Sequence, residues 1–199
     1  MSIVKLNNRS VKDITAFGSI SSLGSLTHIA TQTASSSASI SFTSGIDSTY
    51  KEYIFYFINI HASSNSSLVF KASINGGSAY GIATTTTAFM AEQGESDDTF
   101  LGYRTSEDHA QDTGLIKIGE SYGTDNDQSG SGFMHLFNPS SSVFVKHFIA
   151  QNHSSHPSDY ADNAFKAGYI NTQSAVDAIQ FSMTAGNIDS GEILLFGLN

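Results

Sequence analysis

Apolar residues in this chain recur at every second position, in short runs bounded by Ser, Thr, Gly and Asn. A period of two is what a strand needs to bury one face and wet the other, whereas a helix needs a period near 3.6. Ser39-Ile40-Ser41-Phe42-Thr43 puts Ile40 and Phe42 inward. Leu68 to Ile74 puts Leu68, Phe70, Ala72 and Ile74 on one face, and Ile179 to Ala185 repeats the pattern. Tyr53 to Ile60 is apolar on both faces, which predicts a central strand covered on both sides, within the domain or by another chain.

Further strands are predicted at Leu26–Thr33, Leu115–Ser121, Gly132–Asn138, Val143–Asn152, Phe165–Asn171 and Glu192–Leu198. About ten short strands separated by turn residues describe a sandwich or barrel. No segment offers a long amphipathic helix, and Ala161–Lys166 forms at most one helical turn. The expected fold class is therefore all-β: a jelly-roll-like antiparallel β-sandwich over residues 26–199.

Residues 1–25 read differently. Ile14, Phe17, Ile20 and Leu23 stand three apart, but Gly18, Gly24 and the surrounding serines oppose a helix. This segment is expected to be an extended N-terminal arm whose apolar residues pack on this domain or on a neighbouring subunit. It holds Lys5, Arg9 and Lys12 but no apolar run of signal-peptide type, and no stretch of the chain is long and apolar enough for a membrane span. Among the loops, Asn75-Gly76-Gly77-Ser78 reads as a tight turn. Ala91–Thr99 and Ser121–Ser131 read as long, polar and exposed, the places where a binding surface would sit.

Charge narrows the function. Only 14% of residues are charged, against 39% hydrophobic, and Ser and Thr fill about a quarter of the chain. The net charge is −9 with nine Lys and Arg, so no basic stripe can be assembled to grip phosphates or anionic lipid. Nucleic acid and membrane insertion are set aside as partners. The absence of cysteine removes disulfides, thiolate metal sites and a Cys nucleophile.

Four constellations bear on chemistry. Glu92, Glu95, Asp97 and Asp98 form one acidic cluster; Glu120, Asp125 and Asp127 form another. Lying among Gly, Ser and Asn, they read as solvated loops before they read as calcium ligands or paired catalytic carboxylates. His135 and His147 fall on adjacent predicted strands, and His153 and His156 on a turn; structural or surface roles outweigh a zinc site, which needs three or four converging ligands. Gly130-Ser131-Gly132 lacks the spacing of a nucleophile elbow, and no phosphate-cradling loop exists. Tyr80, Tyr103, Tyr122 and Tyr160 are the residues able to stack on sugars in a chain without Trp, although tyrosines anchoring strand ends are the plainer reading. The expectation is no enzyme: no catalytic, cofactor-binding or metal residues are assigned.

One resemblance adds to this. Ile46-Asp47-Ser48-Thr49-Tyr50-Lys51-Glu52-Tyr53, opening a long apolar strand, resembles a signature of small virion proteins of tailed phages, marine (cyanophage-like) ones especially. Ser73-Ile74-Asn75-Gly76-Gly77-Ser78-Ala79-Tyr80, His135-Leu136-Phe137-Asn138-Pro139-Ser140 and Val145-Lys146-His147-Phe148 look like segments of the same family. The ending Ser190-Gly191-Glu192-Ile193-Leu194-Leu195-Phe196-Gly197-Leu198 looks like that of phage tail-associated and decoration-type proteins. The resemblance covers residues from about 13 to the end and implies a multimeric sandwich in a virion, with no catalytic residues to carry over. The expected function is a structural virion protein, tail-associated in a fibre or adhesion role, partnered by copies of itself in a closed symmetry (a trimer being one example) and by other virion proteins, with a host-surface glycan as a further candidate. A capsid decoration protein and a free lectin-like carbohydrate-binding module are the alternatives.

Overall fold

The computed structural model describes residues 26–198, so the expected arm at 1–25 lies outside the described residues. The strands are β1 (Thr27–Thr33), β2 (Ile40–Phe42), β3 (Glu52–Ala62), β4 (Ser66–Ser73), β5 (Thr84–Gly94), β6 (Thr99–Tyr103), β7 (Ala110–Asp112), β8 (Ile116–Tyr122), β9 (Gly130–Phe137), β10 (Lys146–Ser155), β11 (Tyr160–Ile170), β12 (Ala178–Met183) and β13 (Ile188–Leu198). They form two antiparallel sheets packed face to face, the all-β sandwich that the alternation predicts.

The long sheet runs β1-β13-β3-β9-β10-β11-β5-β6, with β7 also pairing to β5; the short sheet runs β2-β12-β4-β8. From β1 to β4 the chain changes sheet at every step, and it does so again from β8 to β9 and from β12 to β13. Those eight strands make two facing sets of four wound as a jelly roll. The other five belong to two excursions, β5–β7 and β10–β11, which pair with each other and extend the long sheet past β9.

The core lies between β3, β9, β10 and β13 on one side and the short sheet on the other. Phe181 of β12 is its hub. Its ring centroid lies 5.1 Å from those of both Phe55 and Phe57, each edge-on, with Phe42 at 6.3 Å and Phe70 at 6.4 Å. Edge-to-face contacts of this kind add to area burial because a ring's positive edge meets its neighbour's negative face.

Strand β3 changes its inward parity partway. Tyr53, Phe55 and Phe57 face the core, but so do Ile60 and Ala62. A bulge at Ile58–Asn59 makes the switch, with Asn59 at φ 49 and the pairing to β9 shifting between Phe57 and Ile60. Gly191 of β13 lies opposite at φ 111, and a Cβ there would fall 2.5 Å from the Asn59 carbonyl oxygen. The bulge therefore requires glycine at that position.

The approach to β3 is equally specified. Asp47 Oδ1 accepts the Thr49 amide at 2.8 Å, while the Asp47 amide donates to the Tyr53 hydroxyl at 2.9 Å and that hydroxyl donates back to the Asp47 carbonyl at 3.0 Å. These two segments, prominent in the sequence, are thus devices for aiming and kinking strands.

Several expectations need correction. Ala161–Lys166 belongs to strand β11, because the β5 and β10 ladders on both sides satisfy its backbone. Ala91–Thr99 is not one loop: β5 continues to Gly94, a tight turn follows, and β6 begins at Thr99. Ile74 falls beyond the end of β4 and is exposed, so it does not share the inward face of Leu68, Phe70 and Ala72. Tyr53–Ile60 is central, between β13 and β9, and its outward face is covered unevenly: Ile54 is buried, Tyr56 half-buried and Ile58 exposed.

Phe181→Ala should cost about 3–5 kcal/mol, the range for a fully buried aromatic whose neighbours cannot close the cavity. Urea titration of wild type and variant measures it; a loss below ~1 kcal/mol would mean that Phe181 is not the hub.

Candidate functional site

With strand parity fixed, the residues on the outer face of the long sheet follow, and they are unusual for a solvent face. One row of direct cross-strand partners reads Leu194, Tyr56, Phe133, Gln151, Phe165, Phe89, Tyr103. The adjacent row reads His28, Phe196, Ile54, His135, Ile149, Ala167, Thr87. Neither contains Asp, Glu, Lys or Arg. The stripe crosses the sheet perpendicular to its strands, and its exposure is greatest on the half beyond β9: Phe89 is 44% exposed, Ile149 50% and Tyr103 52%.

Aromatic pairing organises this stripe. Phe89 and Phe165 stack at 4.7 Å with planes 8° apart, and Tyr56 meets Phe196 edge-on at 5.7 Å. Between Phe133, Ile149 and the Phe89–Phe165 pair lies a hollow of about 240 Å³. A second, of about 480 Å³, adjoins it through Thr87, Ile149 and Ala167 and reaches Phe137, His147 and Tyr169. A contiguous apolar surface of this extent marks an interaction site, because single exposed apolar residues are common but joined rows of them are not.

Behind the stripe, on the inner face, sits the opposite chemistry. The short sheet reaches only as far as β8, which lies over β10 and β11, so β5 and β6 extend beyond it. There Lys166 of β11 is buried, donating to Glu107 and, at 3.0 Å, to Glu120 of β8. Glu107 lies between β6 and β7 and also takes Arg104 at 3.4 Å and Lys117 at 3.6 Å. This ionic cluster closes the gap between the sheets where apolar packing ends.

The titrations follow from the crowding. Burial alone would raise Glu107, but hydrogen bonds from Glu120 and Lys166 and the charges of Lys166 and Lys117 outweigh it and hold the group at about 2. Burial, and then the hydrogen bond to Glu107, lift Glu120 to about 7 against the pull of Lys166. Asp162, on the same face, is buried with neither carboxyl oxygen hydrogen-bonded. Burial and the charges of Glu92 and Glu120 push it up to about 7, partly offset by Arg104.

Cations are consequently scarce outside. Of the six Lys and Arg between residues 26 and 198, Arg104, Lys117 and Lys166 serve this cluster. A fourth, Lys146, is buried and donates to the carbonyls of Phe144 and Thr172, its pKa lowered by desolvation.

The sequence-predicted candidates disperse. Glu120 lies in the ionic cluster rather than in a solvated loop, because β8 extends through it. Glu95, Asp125 and Asp127 do converge: with Asp159, His153, His156 and Tyr160 they line a rim cleft of about 460 Å³ that has no Lys or Arg in its wall. Asp97 and Asp98 stand in the β5–β6 turn, and Glu92 is on β5. His135 and His147 lie on neighbouring strands but make separate contacts, with Glu52 and with Tyr169 at 6.2 Å. No group of three His, Asp or Glu among the described residues is arranged to hold a metal ion. Tyr122 is no sugar platform, being fully buried with its hydroxyl bonded to Asn152. Tyr103 bonds Asp108 at 2.7 Å, Tyr80 is half-buried, and Tyr160 alone of the four lines the cleft.

Sequence reading missed Lys166, Glu107 and Asp162. The available signal was Asp162, Ala164 and Lys166 at alternate positions of a segment with β ladders on both sides, which places two charges inward. Comparison with protein families, with curated proteins and with solved structures finds no match to this chain.

Asp162→Asn tests the buried acid. A carboxyl whose folded pKa is raised from 3.8 to about 7 holds its proton more tightly in the folded state, so rising pH removes stability across that interval. The variant should therefore unfold several degrees above wild type at pH 8 and near it at pH 4 in calorimetric scans. Equal shifts at both pH values would show that the carboxyl does not titrate in this window.

Proposed function

We propose that this chain is a structural, non-enzymatic component of the virion of a tailed phage, tail-associated and multimeric. The observation that carries the reading is the uncharged aromatic stripe on the outer face of the long sheet. The stripe runs about 34 Å across the sheet, taking seven strand spacings of ~4.8 Å, and its two rows stand ~7 Å apart along the strands.

Surrounding residues suit the same purpose. Charge on this face is confined to the bordering rows, at Glu52 and Glu192, and interface centres are likewise depleted in charge and enriched in aromatics. The segments resembling phage virion proteins support placing the assembly in a particle, and the likeness of the ending at Ser190–Leu198 favours the tail over the capsid.

Light scattering of the full chain should give a discrete oligomer, and Phe89→Glu should shift it to a monomer of unchanged circular dichroism. A wild-type monomer at tens of micromolar would remove the assembly reading. Where the particle itself is available, a chain lacking residues 1–25 should fold and yet be absent from purified virions; normal incorporation would sink the anchoring role expected of the arm.

A further inference from the structure

We infer that the outer stripe of one copy receives residues 14–23 of the N-terminal segment of a neighbouring copy. The inference rests on the multimeric reading above and names what the stripe binds.

Charge selects the occupant. Residues 1–25 hold Lys5, Arg9 and Lys12 against Asp13 alone, a net charge of +2, so of the total −9 the remainder of the chain carries −11. Two such bodies laid face to face would repel one another. The N-terminal segment is the chain's only cationic stretch, and it has an anionic destination beside the stripe. The cleft lined by Glu95, Asp125, Asp127 and Asp159 shares His153 and Ala161 with the outer surface of β10 and β11. Among the described residues none of those four carboxylates has a hydrogen-bonded partner, although the backbone of the same loops is well tied, Glu95 N to Asp159 O at 3.0 Å and Gln128 N to Asp125 O at 2.9 Å.

Spacing fits as well. Ile14, Phe17, Ile20 and Leu23 stand at every third position. An extended chain of three residues per turn rises ~3.1 Å per residue, which would bring all four to one side over about 28 Å. The stripe is about 34 Å long. Phe17 is the only aromatic residue in the segment and has an aromatic wall to meet at Phe89, Phe133 and Phe165.

The route favours a neighbour over the same copy. β1 runs from Thr27, paired with Gly197, towards Thr33, paired with Glu192. The described residues begin at β1, on the sheet edge opposite β6, while the most exposed half of the stripe lies beyond β9. A neighbouring copy's segment can reach that half without crossing the width of the sheet.

The test uses the full chain, whose lack of cysteine makes cross-linking clean. Ser19→Cys with Thr87→Cys reports contact between segment and stripe; Ser19→Cys alone and Ser19→Cys with Ser182→Cys, on the short sheet, are the controls. Mild oxidation should give two-chain and larger species in non-reducing gels, well above both controls. A cross-link confined to one chain would overturn the neighbour assignment. Cross-linking no stronger than the controls would overturn docking altogether. Light scattering on that same sample separates the two readings: a persisting oligomer leaves assembly standing without the segment, and a monomer removes both.

Discussion

A sheet eight strands wide faces one of four, and that mismatch governs the rest of the molecule. Hydrophobic burial needs a partner surface, and the short sheet supplies one only for the jelly-roll half and the first part of the extension. Over that region the interior is Phe, Ile and Leu around Phe181. Beyond it the inner face cannot remain apolar without exposure to water, and it cannot carry loose charge because the β6–β7 connection covers it. Lys166 between two carboxylates is the compromise: the buried ammonium has partners of opposite sign in Glu107 and Glu120.

The same mismatch bears on the outside. Extending the sheet by β10, β11, β5 and β6 doubles the width of its outer face, and the sequence lines that added width with Ile149, Phe165, Phe89 and Tyr103 rather than with charge. Low charge overall is thus distributed rather than merely sparse: Lys146 and Lys166 are drawn into the interior, anions collect at loops and rims, and the broad face is left nearly neutral. Such a partition is hard to explain by the stability of a single copy, to which the outward rings contribute little while they remain wet.

How far the sequence disclosed this depends on where each residue type sits. β2, β4 and β12 were legible because their apolar residues alternate cleanly in sequence, although in β4 Val69 and the flanking serines are buried on the second face as well. β5 was not, since Thr84–Thr87 reads alike on both faces and its outward Phe89 and inward Met90 blur the period. β11 was misread because its inward positions include Asp162 and Lys166, and charge in a sequence suggests solvent. The stripe was illegible for a different reason: its successive members, Leu194, Tyr56, Phe133, Gln151, Phe165, Phe89 and Tyr103, come from seven different strands. Only the two-faced apolar strand at Tyr53–Ile60 hinted at it.

That strand also shows why the stripe and the core are mechanically joined. Tyr53, Phe55 and Phe57 anchor β3 in the core, and the intervening Ile54 and Tyr56 are carried outward on the same backbone. The Gly191-dependent bulge restores inward parity at Ile60, which keeps the far end of β3 buried while Ile58 stays outside. A partner docked on the stripe would thus press on a backbone already held by the aromatic core. Little of its binding energy would be lost to ordering the receiving face, which is the advantage a preorganised sheet has over a loop-built surface.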